Sequence, residues 1–409
     1  MPPTEAAFSS WELETVERIR LNLGKLPLAV EPELLTDSYL IRWLREVRGN
    51  ADAAEAGAKE YIESRHAAGL DMTDYDNLWE HQRHVKEFLP YLSMSKFRHR
   101  VVNSKDNCVV VFGRAEGVNY PRLVHAMRSS EIILTYFAYG EYVMRQVAAQ
   151  EKDTGKLSGA ICVFDLSHLH ISEFVTSGSA LLHVSRMTIN VMQKWYSSEG
   201  LKDLIFVNPP KIMLLSWTFA KMIMNEATRK KIHLFTKPSK QLPTILSPDV
   251  IPECFGGSLR DDSGWAQIPE LCVNKPRMIL PEQYAVPGEV WNRFNLPTSP
   301  LPKLQHAHVP KKGRFTVEKK ATKNGEKLAW LFHVNGEVEF EINKVGAEGS
   351  GSLVYPRLSL VTIKLPEEDV LICEAGATYT LSWTNLTSYL FDIKLEYAVI
   401  LAPADNDHS

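Results

Sequence analysis

Residues 199–257 decide how this chain is read: Glu199-Gly-Leu-Lys-Asp-Leu-Ile-Phe-Val-Asn-Pro-Pro210, an apolar helical stretch, Thr228-Arg-Lys-Lys-Ile232, and Ile251-Pro-Glu-Cys-Phe-Gly-Gly257. The run 204–207 suits a buried strand, and Asn208-Pro209-Pro210 turns the chain because proline fixes φ and restricts the residue before it. Residues 211–224 have helical spacing. At about 100° per residue, Lys211, Thr218 and Lys221 share an arc of roughly 80°. Ile212, Met213, Leu215, Trp217, Phe219, Met222, Ile223 and Met224 cover most of the rest. A helix so apolar is a central core helix, a membrane span or a lid over a hydrophobic cavity. A span needs ~20 uninterrupted apolar residues, and Pro209, Pro210, Lys211 and Lys221 cut this run to about half that. The core helix and the lid remain.

In order and spacing, Glu199, the Asn-Pro turn, the Thr-Arg-Lys-Lys-Ile run and the Ile-Pro-x-x-Phe-Gly-Gly ending resemble the signature of CRAL-TRIO lipid-transfer domains. The resemblance implies that the 211–224 helix is a gate over a lipid pocket, with Ile212, Leu215, Trp217, Phe219, Met222 and Ile223 as its gate and pocket residues. It also implies that Glu199, Thr228 and Lys231 contact a phosphoinositide headgroup. The chemistry suits those types, since a carboxylate accepts hydrogen bonds from inositol hydroxyls and an ammonium pairs with phosphate as a point charge. Read without the family, each is an ordinary solvated residue. The chain departs from the pattern at Ser197-Ser198, where the family has Tyr-Pro, at 221–224, where it has Lys-Pro-Phe-Leu, and at Asp106-Asn107, where it has Asp-Gly. Members that also carry phosphatidylcholine place hydroxyls where this chain has Ala160 and Cys162, so a choline lipid meets fewer donors here. A tocopherol- or squalene-like ligand would be less affected.

At 409 residues the chain exceeds the ~250–300 at which one core stops growing, so more than one domain is expected. The balance of 46 basic and 49 acidic residues, net −3, gives no global reason to bind nucleic acid. Five scattered cysteines without C-x-x-C spacing suggest neither a disulfide framework nor a zinc site. The absence of a signal-peptide pattern and of any run long enough to span a membrane points to a cytoplasmic protein.

Residues 1–74 form an expected N-terminal helical subdomain. Ser9 or Ser10 caps its first helix, with Glu12 and Glu14 in the first turn. Asp37-Ser-Tyr-Leu-Ile-Arg-Trp-Leu-Arg45 resembles the L-L-R-W-L-R element of the family's N-terminal domain, although an ordinary amphipathic helix explains its apolar positions equally well. Family members often continue with a basic pair and Phe-Asp; here only Arg48 could offer phosphate contact. Residues 75–259 alternate short apolar runs (108–112, 160–164, 204–207, 232–235) with helical spacing (121–151, 172–195). That alternation predicts an α/β layer with a largely parallel sheet, the lipid-binding domain of the resemblance.

Residues 260–303, with prolines at 269, 276, 281, 287, 297, 300 and 302, are expected to be a linker running extended over the surface with few restraints between domains. Beyond it the period becomes two: Val338, Phe340 and Ile342 alternate with Glu339 and Glu341, and Phe391, Ile393, Leu395, Tyr397, Val399 and Leu401 alternate with Asp392, Lys394 and Glu396. Asn335-Gly336 between two such runs signals a type I′ hairpin. Residues 304–403 therefore read as an all-β antiparallel sandwich, with 404–409 a tail. A sandwich after a CRAL-TRIO domain resembles the GOLD module of supernatant-protein-factor and tocopherol-associated-protein-like proteins.

Other chemistry is weakly signalled. His168, His170 and His183 lack a carboxylate or cysteine at ligand spacing. Ser177, Ser179, His183 and Asp165 lack a G-x-S-x-G elbow. The glycine-rich 346–351 stretch reads as a loop, and the Asn385 sequon has no signal peptide to expose it. No metal, cofactor or enzymatic activity is expected. The sequence reads as a lipid carrier exchanging a phosphoinositide or another hydrophobic molecule with membranes it touches transiently, and its GOLD-like domain would bind a protein or membrane partner. The alternative is a lipid-sensing trafficking adaptor whose sandwich assembles Golgi or coat proteins.

Overall fold

A computed structural model describes residues 8–71, 83–94, 100–167, 169, 194–196, 200–211, 213–214, 217, 226–259, 276–298, 300–346, 349, 351–386 and 391–404. Helix α1 (Ser10–Leu23) starts at a capping box in which Ser9 accepts from the Glu12 amide at 3.2 Å and Glu12 accepts from the Ser9 amide at 2.8 Å. Helices α2 (Asp37–Glu46) and α3 (Ala51–Ala67) pack on it through Val16, Ile19, Leu23, Leu40, Leu44, Ala54, Ala58 and Ile62, all buried. The arginines of α2 are spent internally: Arg42 pairs with Glu151 and donates to Ser158 O at 2.9 Å, and Arg45 donates to Glu12 at 2.8 Å.

Helix α4 (Arg83–Phe88) leads into β1 (Val102–Asn103) and β2 (Cys108–Arg114). The periodic stretch 121–151 forms two helices, α5 (Tyr120–Ala126) and α6 (Ser129–Thr154), because Met127 and Arg128 are extended and Glu131 re-caps the second at the Arg128 amide. There follow β3 (Ala160–Asp165), β4 (Leu201–Val207), α7 (Glu226–Lys231), β5 (Ile232–Phe235) and α8 (Pro238–Ile245). The sheet has the order β1-β2-β3-β4-β5; β1 is antiparallel and the rest are parallel, as the alternation predicts. Helix α6, the crossover between β2 and β3, packs on one face of the sheet against Val109, Val111, Ala160 and Cys162. The opposite face is sealed by Leu242, Leu246, Val250, Ile251 and Phe255 against Val110, Phe112, Ile161, Val163, Ile205 and Val207.

The C-terminal region is two packed antiparallel sheets. Its strands are β6 (Gln305–Val309), β7 (Arg314–Lys320), β8 (Lys327–Val334), β9 (Val338–Val345), β10 (Gly351–Leu360), β11 (Glu367–Ile372), β12 (Thr378–Thr384) and β13 (Ile393–Ala402). They are ordered β10-β9-β12-β7 and β11-β8-β13-β6 around Trp330, Phe332, Phe340, Leu381 and Trp383. Asn335-Gly336 is not a hairpin. It carries the chain from β8 in one sheet to β9 in the other, and neither residue has the positive φ that a type I′ turn requires. Asn335 instead brackets β13: its amide donates to Lys394 O, and its side chain accepts from the Lys394 amide at 2.8 Å. Two amphipathic runs joined by a tight turn fit an arch between sheets as well as a hairpin, and burial of both strands' inner faces selects the arch. Phe391, expected as the first inward residue of the last strand, lies ahead of β13 and is exposed.

The expectation of a loosely restrained linker is also overturned. Prolines exclude regular structure from most of 276–298, but its apolar side chains pack. Ile279, Val290 and Trp291 are buried, and Trp291, on α9 (Glu289–Arg293), donates to Trp330 O at 3.0 Å. The segment is stitched to the α/β domain by Arg277 N to Pro90 O (2.8 Å) and Ala285 N to His125 O (3.0 Å). One apolar cluster runs from α1–α3 and α6 into the sandwich core.

Candidate functional site

On the crossover face the register sets apolar side chains in rows. Val111, Cys162, Leu204 and Ile232 form one row, and Gly113, Phe164, Phe206 and Leu234 the next. Directly paired residues of parallel strands point to one side, so these rows make a floor. Phe164 and Phe206 stack with centroids 6.0 Å apart. Gly113 leaves room for that pair, since a Cβ there would sit 2.5 Å from the Phe164 ring. Toward α6 the floor is closed by Val109, Val111 and Cys162, and burial pushes the Cys162 thiol up to about 12, so it stays neutral. Toward β5 it is half-buried at Phe164, Leu204, Phe206, Ile232 and Leu234. These floor residues were not singled out from sequence; the signal for them was the in-register alternation of neighbouring apolar runs.

At the carboxyl end of the sheet a hydrogen-bonded knot aims the chain off β4. Asp165 accepts from Ser167 N (2.9 Å), Ser167 Oγ (2.7 Å) and Asn208 Nδ2 (3.0 Å), while Asn208 adopts φ +53° and donates its amide to Phe235 O. Pro209 and Pro210 follow, and the Pro210 carbonyl accepts from the Met213 amide at 2.9 Å. Lys211, Met213, Leu214 and Trp217 are helical, and Trp217 is half-buried. Ile212, Leu215, Phe219, Met222 and Ile223 lie outside the described residues.

The opposite end of the sheet holds the basic corner. Lys231, last in α7, donates to Leu201 O at 3.0 Å, which places its ammonium at the start of β4, two residues beyond Glu199 in the chain. Glu199 itself is outside the described residues; Thr228 lies in α7, its side chain undescribed. Lys230, 2.9 Å from Glu226, holds that carboxyl below its usual range, with smaller contributions from Arg229 and Arg48. Arg48, Arg229, Lys230 and Lys231 thus gather around α7.

Among the described residues no group of three or more His, Cys, Asp or Glu could hold a metal, and no helix is long and apolar enough to cross a membrane. His168, His170, Ser177, Ser179 and His183 are outside the described residues, and Asp165 is engaged by Ser167 and Asn208.

Residues 103–257 match the CRAL/TRIO domain family model, and the chain carries a CRAL/TRIO domain there. It is 27% identical over 387 residues, 92% of either chain, to the CRAL-TRIO domain-containing protein C34C12.6 of Caenorhabditis elegans. It is 19% identical over 414 residues to Protein ctg-1 of the same organism, covering 97% of this chain and 98% of that one. Among solved structures, that of Sfh5 aligns with a TM-score of 0.40 and 14% identity, covering 68% of this chain and 92% of that one. The family match over residues 103–257 and the parallel sheet found there agree on a CRAL-TRIO α/β domain with accompanying helices, which a C-terminal antiparallel region follows.

Proposed function

We propose that the protein is a non-enzymatic lipid carrier that takes a phosphoinositide or another hydrophobic molecule from one membrane and delivers it to another. The observation that carries this reading is the half-buried apolar floor of Phe164, Leu204, Phe206, Ile232 and Leu234, on the face of the sheet opposite the one sealed by Leu242, Leu246 and Phe255. Acyl chains on such a floor exchange water for apolar surface at about 25 cal/mol per Å². The headgroup would lie at the α7 corner, with Lys231 on the phosphate and Glu199 and Thr228 on the inositol. Trp217 would belong to the gate that covers the chains. The sandwich would be a GOLD-type module, and the protein a cytoplasmic one that meets membranes transiently. Native mass spectrometry of the purified full chain tests the reading: a lipid of defined mass released on denaturation supports it, and a protein that stays empty after incubation with mixed-lipid vesicles sinks it.

A further inference from the structure

The pairings place four connections of the sandwich at one end: 310–313, 335–337, 361–366 and the one joining β12 to β13. Two of them are tied to each other at this tip through their described residues. Buried Asn385 receives its restraints from both sides, with its amide donating to Gly313 O at 2.9 Å and its side chain to Phe391 O at 3.2 Å. The Lys311 amide donates to the Asp392 carboxylate at 2.9 Å. This framework holds Phe391, 74% exposed, and Leu386, 55% exposed, beside the exposed Lys311 and Lys312. Lys364 is exposed on a neighbouring connection. Among the described residues of these connections the acids are Asp392, which accepts from Lys311, and the half-buried Glu337; Arg314 is paired with Glu341 at 3.3 Å.

We propose that this tip docks onto the surface of an anionic bilayer, with Phe391 and Leu386 entering the headgroup–acyl boundary and Lys311 and Lys312 meeting lipid phosphates. Two apolar side chains are far too little for a protein interface, which needs about 1,000 Å². They are enough for an interfacial anchor when cations stand beside them, because each lysine near an anionic surface adds to the attraction. The buried contacts between the sandwich and α6 make the tip rigid with the α/β domain, so docking would fix which side of the carrier faces the membrane.

The test uses the full chain and sedimentation with phosphatidylcholine vesicles, with and without phosphatidylserine. Phe391→Asp and Leu386→Asp should each lower partition onto phosphatidylserine-containing vesicles by about tenfold. Lys311→Glu with Lys312→Glu should lower it by on the order of fivefold per lysine, and leave partition onto phosphatidylcholine alone unchanged. All these side chains are exposed, so the melting temperature should hold. Unchanged partition for both aspartate variants overturns the proposal, and equal losses of the lysine variant on both vesicle types overturn the anionic assignment. A dimer lost in Phe391→Asp with vesicle partition intact assigns the tip to a second copy of the chain and overturns it as well. Co-purifying lipid, weighed in parallel, reports on the carrier reading and should not change.

Discussion

Arg128, at the head of α6, and Glu368, on β11, form an ion pair in which both side chains are fully buried. The same guanidinium lies 3.3 Å from Glu131 and 3.1 Å from Glu289, while Glu368 also accepts from the Gly288 and Val290 amides at 2.6 and 3.2 Å. Three parts of the chain, the α/β domain, the 276–298 segment and the sandwich, meet at one cation. Removing one partner of such a group leaves uncompensated charge in a dry site, which costs about 3–5 kcal/mol. Arg128→Met should show that loss in urea denaturation. A chain ending after Leu259 should be worse still, because it bares Arg128 and Ser129, whose hydroxyl donates to Val361 O at 2.6 Å. A loss below about 1 kcal/mol in Arg128→Met would mean that water reaches the pair.

Stability should depend on pH through Glu367, whose buried carboxyl is pushed up to about 7 from the usual 4.5 and accepts from the Ser130 amide. A carboxyl raised in the folded state binds its proton more tightly there than in the unfolded chain. Its contribution therefore favours folding below 4.5 and is lost as pH rises through about 7. His84 acts oppositely: burial lowers it to about 3, so its contribution is intact above 6.5 and is lost as pH falls toward 3. Glu131, Glu368 and Asp369 are also raised by burial and share the sign of Glu367. Glu367→Gln should flatten the fall in urea midpoint between about pH 5 and pH 8 and be the more stable protein at the upper end. A variant with the parent's slope would place the titration elsewhere.

The parallel sheet was legible because its strands are apolar on both faces. The expected runs at 108–112 and 160–164 fall inside β2 and β3, and 232–235 is β5 itself. What could not be read was anything whose meaning depends on a partner far away in the chain. Glu367, Glu368 and Asp369 look like a solvated acidic run until Arg128, 240 residues distant from Glu368, is brought against them. Trp291 looks like a lone aromatic in a proline-rich segment until Trp330 O accepts from it. Asn335-Gly336 failed for a related reason: the local pattern fits a hairpin or an arch, and only the opposite sheet decides. The Phe164–Phe206 floor was not legible either, because it exists only once four strands stand in register.

Lys231 should matter for a phosphoinositide and not for an apolar ligand. Losing a charge-assisted contact to phosphate costs about 1.5–3 kcal/mol, so Lys231→Ala should lower phosphatidylinositol transfer at least tenfold. The variant also loses the bond to Leu201 O, so a thermal melt belongs beside the transfer assay. Unchanged transfer by a folded variant would remove Lys231 from the headgroup site.

Ala160 and Cys162 offer a sharper probe of what lies on the floor. Both are buried and belong to the rows facing α6, where Ala160 pairs with Val109 and Cys162 with Val111. Changing them to Ser and Thr adds two hydroxyls to apolar surroundings, and each lacks compensation unless a ligand supplies it. A buried hydroxyl without a partner costs about 1–3 kcal/mol, so the Ala160→Ser, Cys162→Thr protein should melt lower when empty. If the lipid headgroup or ester oxygens reach this part of the floor, phosphatidylcholine should restore the melt, since a ligand that binds only the folded state stabilises it by mass action. The ratio of phosphatidylcholine to phosphatidylinositol transferred from mixed vesicles should rise with it. Were the floor only the packed interior of the domain, the melt would fall, no lipid would restore it, and the transfer ratio would stay where it was.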